Sequence, residues 1–360
     1  MSRTCAVLVF TAGDHRTASS KYRAFLLGKY LTEQRSDIEW RIVEPATKML
    51  SSLSYPAQVR ESMRQARLLF WRPRHDVVFI QRAIYNKFVF LALLVQNILR
   101  IRPSIFDFDD AIFLHSPFKT RMMCKMSSAV IVGSHHLAVY ARRYNTNVTL
   151  IPTCIRFSDY ADIERKARTS DTVTIGWLGG AGAYVPELHA LSEVLRALHT
   201  KGIQFHFLLV GAFHIAAVHT LFEFLPKDTS EIIDYVDAPT DADLIPYLSR
   251  MDIGLMPLSD NEWNRGKCAL KAIQYMASGA ATIASPVGEN RVVIKDGTNG
   301  MLASGQDEWG SCLRELIEDP TLRQRLGVEA RAHVRSQYSY ETQCPRVADL
   351  IGAVLEWNSN

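Results

Sequence analysis

The residues best placed to do chemistry lie in one stretch, Pro257 to Ala303, which reads PLSDNEWNRGKCALKAIQYMASGAATIASPVGENRVVIKDGTNGMLA. A strand from Ile253 to Leu258 is predicted to run into a polar loop that carries Asp260, Glu262 and Arg265. Gly266 is then predicted to open a helix of about a dozen residues, which Gly279 stops. On it Lys267, Lys271 and Gln274 fall at i, i+4 and i+7 and share one face. Two lysines near a helix N-terminus suit an anion, because free N–H groups and the dipole already favour negative charge there. A solvated lysine face on an ordinary amphipathic helix has the same spacing. The second concentration is acidic. Asp107, Asp109 and Asp110 crowd the end of a predicted strand, Ser104–Phe108, and carboxylates at the carboxyl end of a parallel strand sit where α/β folds bind ligands. Three such acids could also suit magnesium.

The elements that must hold these groups alternate regularly. Strands are predicted at Cys5–Phe10, Ile38–Val43, Val77–Gln81, Ser104–Phe108 and Ala129–Gly133, with helices between them. After the polar segment Phe157–Thr172, strands follow at Val173–Leu178, Phe205–Val210, Ile232–Val236 and Ile253–Leu258. Repeated βαβ units with apolar strands mean parallel sheets covered on both faces. The first strand leads into TAGDHRTASS, a loop of the kind that binds ligands in such folds but without the GxGxxG of a dinucleotide site. Gly13, His15, Ser20 and Arg23 are its candidates, with turn or cap chemistry as the alternative for each.

At 360 residues and 48% hydrophobic, the chain has material for two full cores. Residues 1–170 hold 26 Lys and Arg against 13 Asp and Glu, whereas residues 171–360 hold 15 against 24. The first half is therefore expected to face something anionic: nucleic acid, an anionic membrane or a phosphate-bearing acceptor. PAQVRESMRQARLLFWRPRH places Val59, Met63, Ala66 and Phe70 on one helical stripe and Arg60, Arg64 and Arg67 on another, with Trp71, Arg72, Arg74 and His75 continuing it. That suits an interfacial membrane helix or a solvated arginine face. Phe88–Ile101 is too short for a membrane span and reads as a buried core helix. The six cysteines have no CxxC or metal-ligand spacing, so they are expected to be reduced thiols of a cytoplasmic protein, and no signal peptide is expected.

Three segments carry a resemblance. KAIQYMASGAATIASPVGENRVVIKDGTNGMLA resembles the donor-binding region of the family 4 glycosyltransferases. IFDFDDAIF (Ile105 to Phe113) and IGWLGGAGAY (Ile175 to Tyr184) resemble a central first-domain strand and the first strand and glycine turn of the donor domain in the same family. The resemblance implies the GT-B fold: two Rossmann-like, doubly wound parallel-sheet domains facing a cleft. The expected division is an acceptor-binding domain over 1–156, a linker over 157–172, a nucleotide-sugar-binding domain over 173–339 and a helix over 340–360 that crosses back. It also implies retaining transfer of a sugar from a nucleoside-diphosphate sugar, with no metal and no cofactor beyond that co-substrate, to an acceptor such as a lipid-linked saccharide at the inner face of a membrane. Nucleic acid is not an implied partner.

The implied roles follow residue by residue. Gly179 and Gly180 would contact diphosphate or sugar through backbone, with Gly13 in the same donor site. Lys267 would offset the diphosphate charge, with Arg265, Gly266 and Lys271 beside it. Gln274 would bind ribose, Val236 would lie where the base stacks, and Glu289 and Asn290 would lie near the donor sugar or phosphates. Asp109 and Asp110 would stand at the reacting sugar, with His15, Arg23 and His115 toward the acceptor. Two features depart from the family pattern. Gly266 and Gln274 stand where it usually has glutamates, and an Arg and a Lys that commonly follow the first donor-domain strand are absent from WLGGAGAY. A nucleotide-sugar epimerase and a non-catalytic nucleotide-sugar-binding scaffold remain open beside the transferase.

Overall fold

The computed structural model describes residues 4–45, 54–70, 76–84, 86–161, 163, 172–238 and 240–357. Trp71, Arg72, Arg74 and His75 lie outside the described residues, as do positions 162 and 164–171 of the expected linker. Contacts divide the chain into two units. One comprises Met1–Cys154, Gly266–Cys268 and Tyr340–Asn360; the other comprises Ile155–Arg265 and Ala269–Ser339.

The first unit is built on six parallel strands: β1 (Cys5–Thr11), β2 (Ile38–Val43), β3 (Val77–Gln81), β4 (Ser104–Phe108), β5 (Ala129–Val132) and β6 (Val148–Leu150). Their order is β2-β1-β3-β4-β5-β6. VVFIQ, SIFDF and AVIV are buried throughout, as central strands covered on both faces must be. The chain moves one way from β1 to β2 and the other way from β3 onward, so a topological switch point lies between β1 and β3. Register sets Thr11 beside Gln81 and Gln81 beside Asp107, which brings polar side chains level at the carboxyl ends of three strands. The helices used below are α1 (Leu26–Gln34), entered through a π-helical turn at Lys21–Phe25, then α2 (Tyr55–Phe70), α3 (Lys87–Ile98), α4 (Pro117–Met126) and α5 (His135–Ala141). Asn86 caps α3 by accepting from the amides of Phe88 and Val89. Right-handed crossovers put α2, α3 and α4 on one face of the sheet, with α3 flanked by the other two.

The second unit repeats the plan with β7 (Thr174–Leu178), β8 (His206–Val210), β9 (Ser230–Ile233), β10 (Ile253–Met256), β11 (Ala281–Ala284) and β12 (Met301–Leu302), ordered β12-β11-β10-β7-β8-β9 and all parallel. Helices α6 (Val185–Thr200), α7 (Leu270–Ser278), α8 (Gly305–Glu318) and α9 (Pro320–Gln337) cover it. Trp177, Leu188, Phe207, Leu255, Ile283 and Leu313 meet in one core. The final helix, α10 (Tyr340–Trp357), packs its Tyr340, Val347 and Ile351 into the first unit's core, and the Tyr340 hydroxyl donates to the carbonyl of Tyr22 at 2.7 Å.

Two local expectations need correction. The predicted helix from Gly266 does not form as one piece. A short turn, Glu262–Arg265, is followed by irregular chain, and α7 begins only at Leu270 after Ala269 takes a left-handed φ of 57°. Within the expected linker, Phe157–Tyr160 forms a 3₁₀ turn whose Tyr160 ring is wholly buried.

Candidate active site

In the first unit the carboxyl ends of β1, β3 and β4 gather a polar network. The Gly13 amide donates to Ser20 Oγ at 3.2 Å, Ser20 Oγ to Gln81 Oε1 at 2.9 Å, and Gln81 Nε2 to Ser19 Oγ at 2.8 Å. Ser19 Oγ then donates to Asp109 Oδ1. Arg82 follows β3 with a left-handed φ of 52°. That turn aims its Nη1 at both acids, 3.1 Å from Asp109 Oδ1 and 2.6 Å from Asp110 Oδ2. Burial pushes the Asp110 carboxyl up to about 6; Arg82 and Lys267 oppose the shift and Asp109 reinforces it.

Asp107 has a different fate. It is buried, and Arg23 forks onto it with Nε at 2.9 Å and Nη2 at 2.5 Å. Arg23 Nη1 reaches the Ile151 carbonyl at 3.1 Å and Thr153 Oγ1 at 3.3 Å. The π-helical turn carries Arg23 inward, so its donors are spent within the unit and not on an acceptor. The three acids do not converge on one point, and among the described residues no cluster of three or more His, Cys, Asp or Glu could hold a metal ion. His15 is exposed and bonded to Glu44 at 3.1 Å, and His115 is exposed.

Lys267 belongs to this unit, with Gly266 and Cys268. Cys268 Sγ donates to the Asp109 carbonyl at 3.0 Å, and Ser134 Oγ donates to the Gly266 carbonyl at 3.2 Å. Gly266 was expected beside the diphosphate, and its surroundings give it a packing role as well. A Cβ there would lie 2.8 Å from the Ala111 Cβ, so the glycine lets this segment pack against the loop after Asp110. Lys267 is therefore not in the first turn of a helix, and its charge acts on Asp110.

In the second unit Lys271 takes the place expected for Lys267. It lies in the first turn of α7, its Nζ 3.2 Å from the centroid of Tyr184 and 5.0 Å from that of Trp177. The glycine turn after β7 lies against it. Gly179 has φ of 149°, and a Cβ there would stand 2.2 Å from Lys271 Cε. Gly180 is exposed beside it. Under the turn, the Leu178 amide donates to the Tyr275 hydroxyl at 2.7 Å. Gln274 is buried and donates to Asp241 Oδ1 at 3.0 Å, next to Tyr160. Asn290 Nδ2 donates to the Ser285 carbonyl at 2.9 Å, and Asn290 and Glu289 are both buried. Arg265 is exposed and paired with Asp260 at 2.7 Å. Val236 is half-buried in the loop beyond β9, which ends at Ile233 rather than Val236.

Sequence reading missed Ser19, Gln81, Arg82, Asp241 and the edge-to-face Tyr184–Trp177 pair beside Lys271. Gln81 and Arg82 had a legible signal, as polar residues at the carboxyl end of a buried strand. The others are assembled by register and helix placement.

Two six-stranded parallel sheets, each with its polar groups at the carboxyl ends of the strands, define the GT-B class, and solved structures bear this out. Sucrose-phosphate synthase from Thermosynechococcus elongatus superposes with a TM-score of 0.73 at 15% identity, over 98% of this chain and 100% of that one. Anabaena HepE in complex with UDP and glucose does so with a TM-score of 0.71 at 12% identity, over 97% and 100%. Residues 172–319 match the family described as glycosyl transferases group 1. A D-inositol 3-phosphate glycosyltransferase of Corynebacterium kroppenstedtii is 30% identical over 135 residues, which are 36% of this chain and 29% of that protein. The chain thus has the GT-B fold, its residues 172–319 are similar to glycosyl transferases group 1, and it spans less than a third of the length of the curated relatives it matches.

Proposed function

We propose that this protein transfers a glycosyl group from a nucleoside-diphosphate sugar to an acceptor hydroxyl, with retention at the anomeric carbon. The match of residues 172–319 to glycosyl transferases group 1 carries the proposal. In the reaction the bond between the anomeric carbon and the diphosphate oxygen breaks, and the acceptor oxygen bonds to that carbon. The acceptor proton leaves with the diphosphate. The chain's task is to position both partners and to offset the charge on the leaving group. Lys271, beside the Gly179 turn, suits the diphosphate, and the Asp109–Asp110–Arg82 group suits sugar hydroxyls. No cofactor beyond the co-substrate is required.

The acceptor is proposed to be anionic, a lipid-linked saccharide or another surface-glycan precursor, met by a cytoplasmic protein at the inner face of an anionic membrane. Two facts support this. Residues 1–170 carry 26 basic against 13 acidic side chains, and the curated relatives are named for D-inositol 3-phosphate.

The test is incubation of purified protein with UDP-, GDP- and ADP-sugars without acceptor. Slow release of nucleoside diphosphate and free sugar is expected. An epimerised nucleotide sugar would replace the transferase with an isomerase, and binding of a nucleotide sugar without any turnover would leave a scaffold.

A further inference from the structure

The apolar helix after β3 does not do what its composition predicts. Phe88–Ile101 was expected to be buried, and one side of α3 is: Val89, Phe90, Leu93, Gln96 and Asn97 face inward. The opposite stripe faces out, with Leu91 56%, Ile98 53% and Leu99 65% exposed and Val95 between them. These positions are i, i+4, i+7 and i+8, a continuous stripe along the helix. The neighbouring α2 is inverted. It buries Glu61, Ser62, Gln65 and Leu69 and turns Tyr55 and Met63, each 62% exposed, and Phe70 outward. On the other flank Phe118 of α4 is exposed, its ring in edge contact with Phe90. Exposed large apolar side chains on three adjacent helices suit a binding surface.

Charge selects its partner. Arg60, Arg64, Arg67, Lys87, Lys119, Arg121 and Lys125 lie on these three helices, and their only acidic residue is Glu61, which is buried and paired with Arg64 at 2.6 Å. Lys87 Nζ sits 6.0 Å from the ring centroid of the exposed Tyr55, so a cation flanks an aromatic at the rim. Long basic side chains over an apolar floor suit a headgroup layer above acyl chains. A protein partner would have to meet this floor with a matching acidic rim, whereas an anionic bilayer provides apolar interior and negative surface everywhere.

We propose that the α2–α3–α4 face is a bilayer-docking surface and that α3, not the arginine-bearing α2, is the element that enters the interface. This deepens the reading of a membrane-borne acceptor and rests on it. Arginines on α2 supply attraction at a distance, and the α3 stripe supplies the part of the binding that salt does not screen.

The experiment is co-sedimentation of the 360-residue protein with phosphatidylglycerol–phosphatidylcholine vesicles and with pure phosphatidylcholine vesicles, at about 50 and about 500 mM salt, which lengthen and shorten the Debye length by ~1.7-fold and ~1.8-fold from its physiological value. Wild type is expected to pellet with the anionic vesicles at low salt and to retain a measurable fraction at high salt. Leu91→Asp/Ile98→Asp is expected to lose binding by tenfold or more at both salts. Arg60→Gln/Arg67→Gln is expected to lose it mainly at low salt. Both should keep the parent's nucleotide-sugar hydrolysis in vesicle-free solution, which shows that they fold and separates this test from that of the transferase. Equal pelleting of the α3 variant and wild type overturns the proposal, as does absence of pelleting by wild type. A concentration-dependent dimer that the α3 variant abolishes would assign the face to a second copy and also overturn it.

Discussion

Lys267 and Lys271 are four residues apart, and helical spacing predicted one shared face. The structure gives them to different units and different surroundings. Lys267 belongs to a network of charges in which Arg82 holds Asp109 and Asp110, and its field acts on the Asp110 carboxyl. Lys271 lies on two aromatic faces beside a glycine turn, with its helix N-terminus alongside. In the first setting a cation tunes a neighbouring acid. In the second it lies on ring faces in the first turn of a helix. Residue type alone does not separate these two settings; the left-handed residue Ala269 between them does.

The largest effect that would sharpen this contrast comes from the charge network. Arg23→Met leaves Asp107 buried without its fork, and about 3–5 kcal/mol of stability is expected to be lost in denaturant unfolding. The double variant with Asp107→Leu should recover much of it. If the single variant unfolds like wild type, the Arg23–Asp107 fork is not a fixed part of the first unit.

Gly179→Ala comes next. Its φ of 149° and the 2.2 Å approach to Lys271 Cε mean that the new methyl must displace the lysine. A loss of about 1–3 kcal/mol is expected, with a change in Trp177 fluorescence as the cation leaves its ring. Unchanged fluorescence would detach the turn from the lysine.

A smaller, pH-dependent effect belongs to Asp110. Its carboxyl stands at about 6 in the fold against an ordinary 3.8. At pH between these values the unfolded chain has released this proton and the folded chain keeps it. The group's contribution is therefore fully present below the lower value and is lost as pH rises through the upper one. Relative to Asp110→Asn, wild type should lose stability across that window in urea titrations at stepped pH. A constant difference between the two proteins would mean that burial does not raise this acid.

The smallest effect is expected at Arg265, an exposed partner of Asp260. Arg265→Ala should change stability by less than about 0.5 kcal/mol and leave nucleotide affinity nearly intact. A large loss of affinity would return the diphosphate to Arg265, which the resemblance sets beside Lys267.

The sheets were legible because their strands are continuous apolar runs bounded by turn residues, so VVFIQ and SIFDF were placed residue for residue. The helix start at Gly266 was misread because nothing about an alanine announces a left-handed φ. α3 was misread for a different reason. Its composition is nearly all apolar, and which side is covered depends on neighbours that only the sheet order supplies. The acidic group was legible from its place at the end of β4. Its partners were not, since Ser19 and Gln81 lie 62 positions apart and meet only through strand register.

The most direct measurement is calorimetric titration of nucleoside diphosphate into wild type, Lys271→Ala and Lys267→Ala at one pH and salt, using whichever of UDP, ADP and GDP binds wild type. A charge-assisted contact of about 1.5–3 kcal/mol predicts a ten- to hundredfold loss of affinity in Lys271→Ala. Lys267→Ala should stay within about threefold of wild type, as a charge spent on Asp110 rather than on the ligand. The reverse order, with Lys267→Ala collapsed and Lys271→Ala intact, would contradict the division of roles between the two lysines.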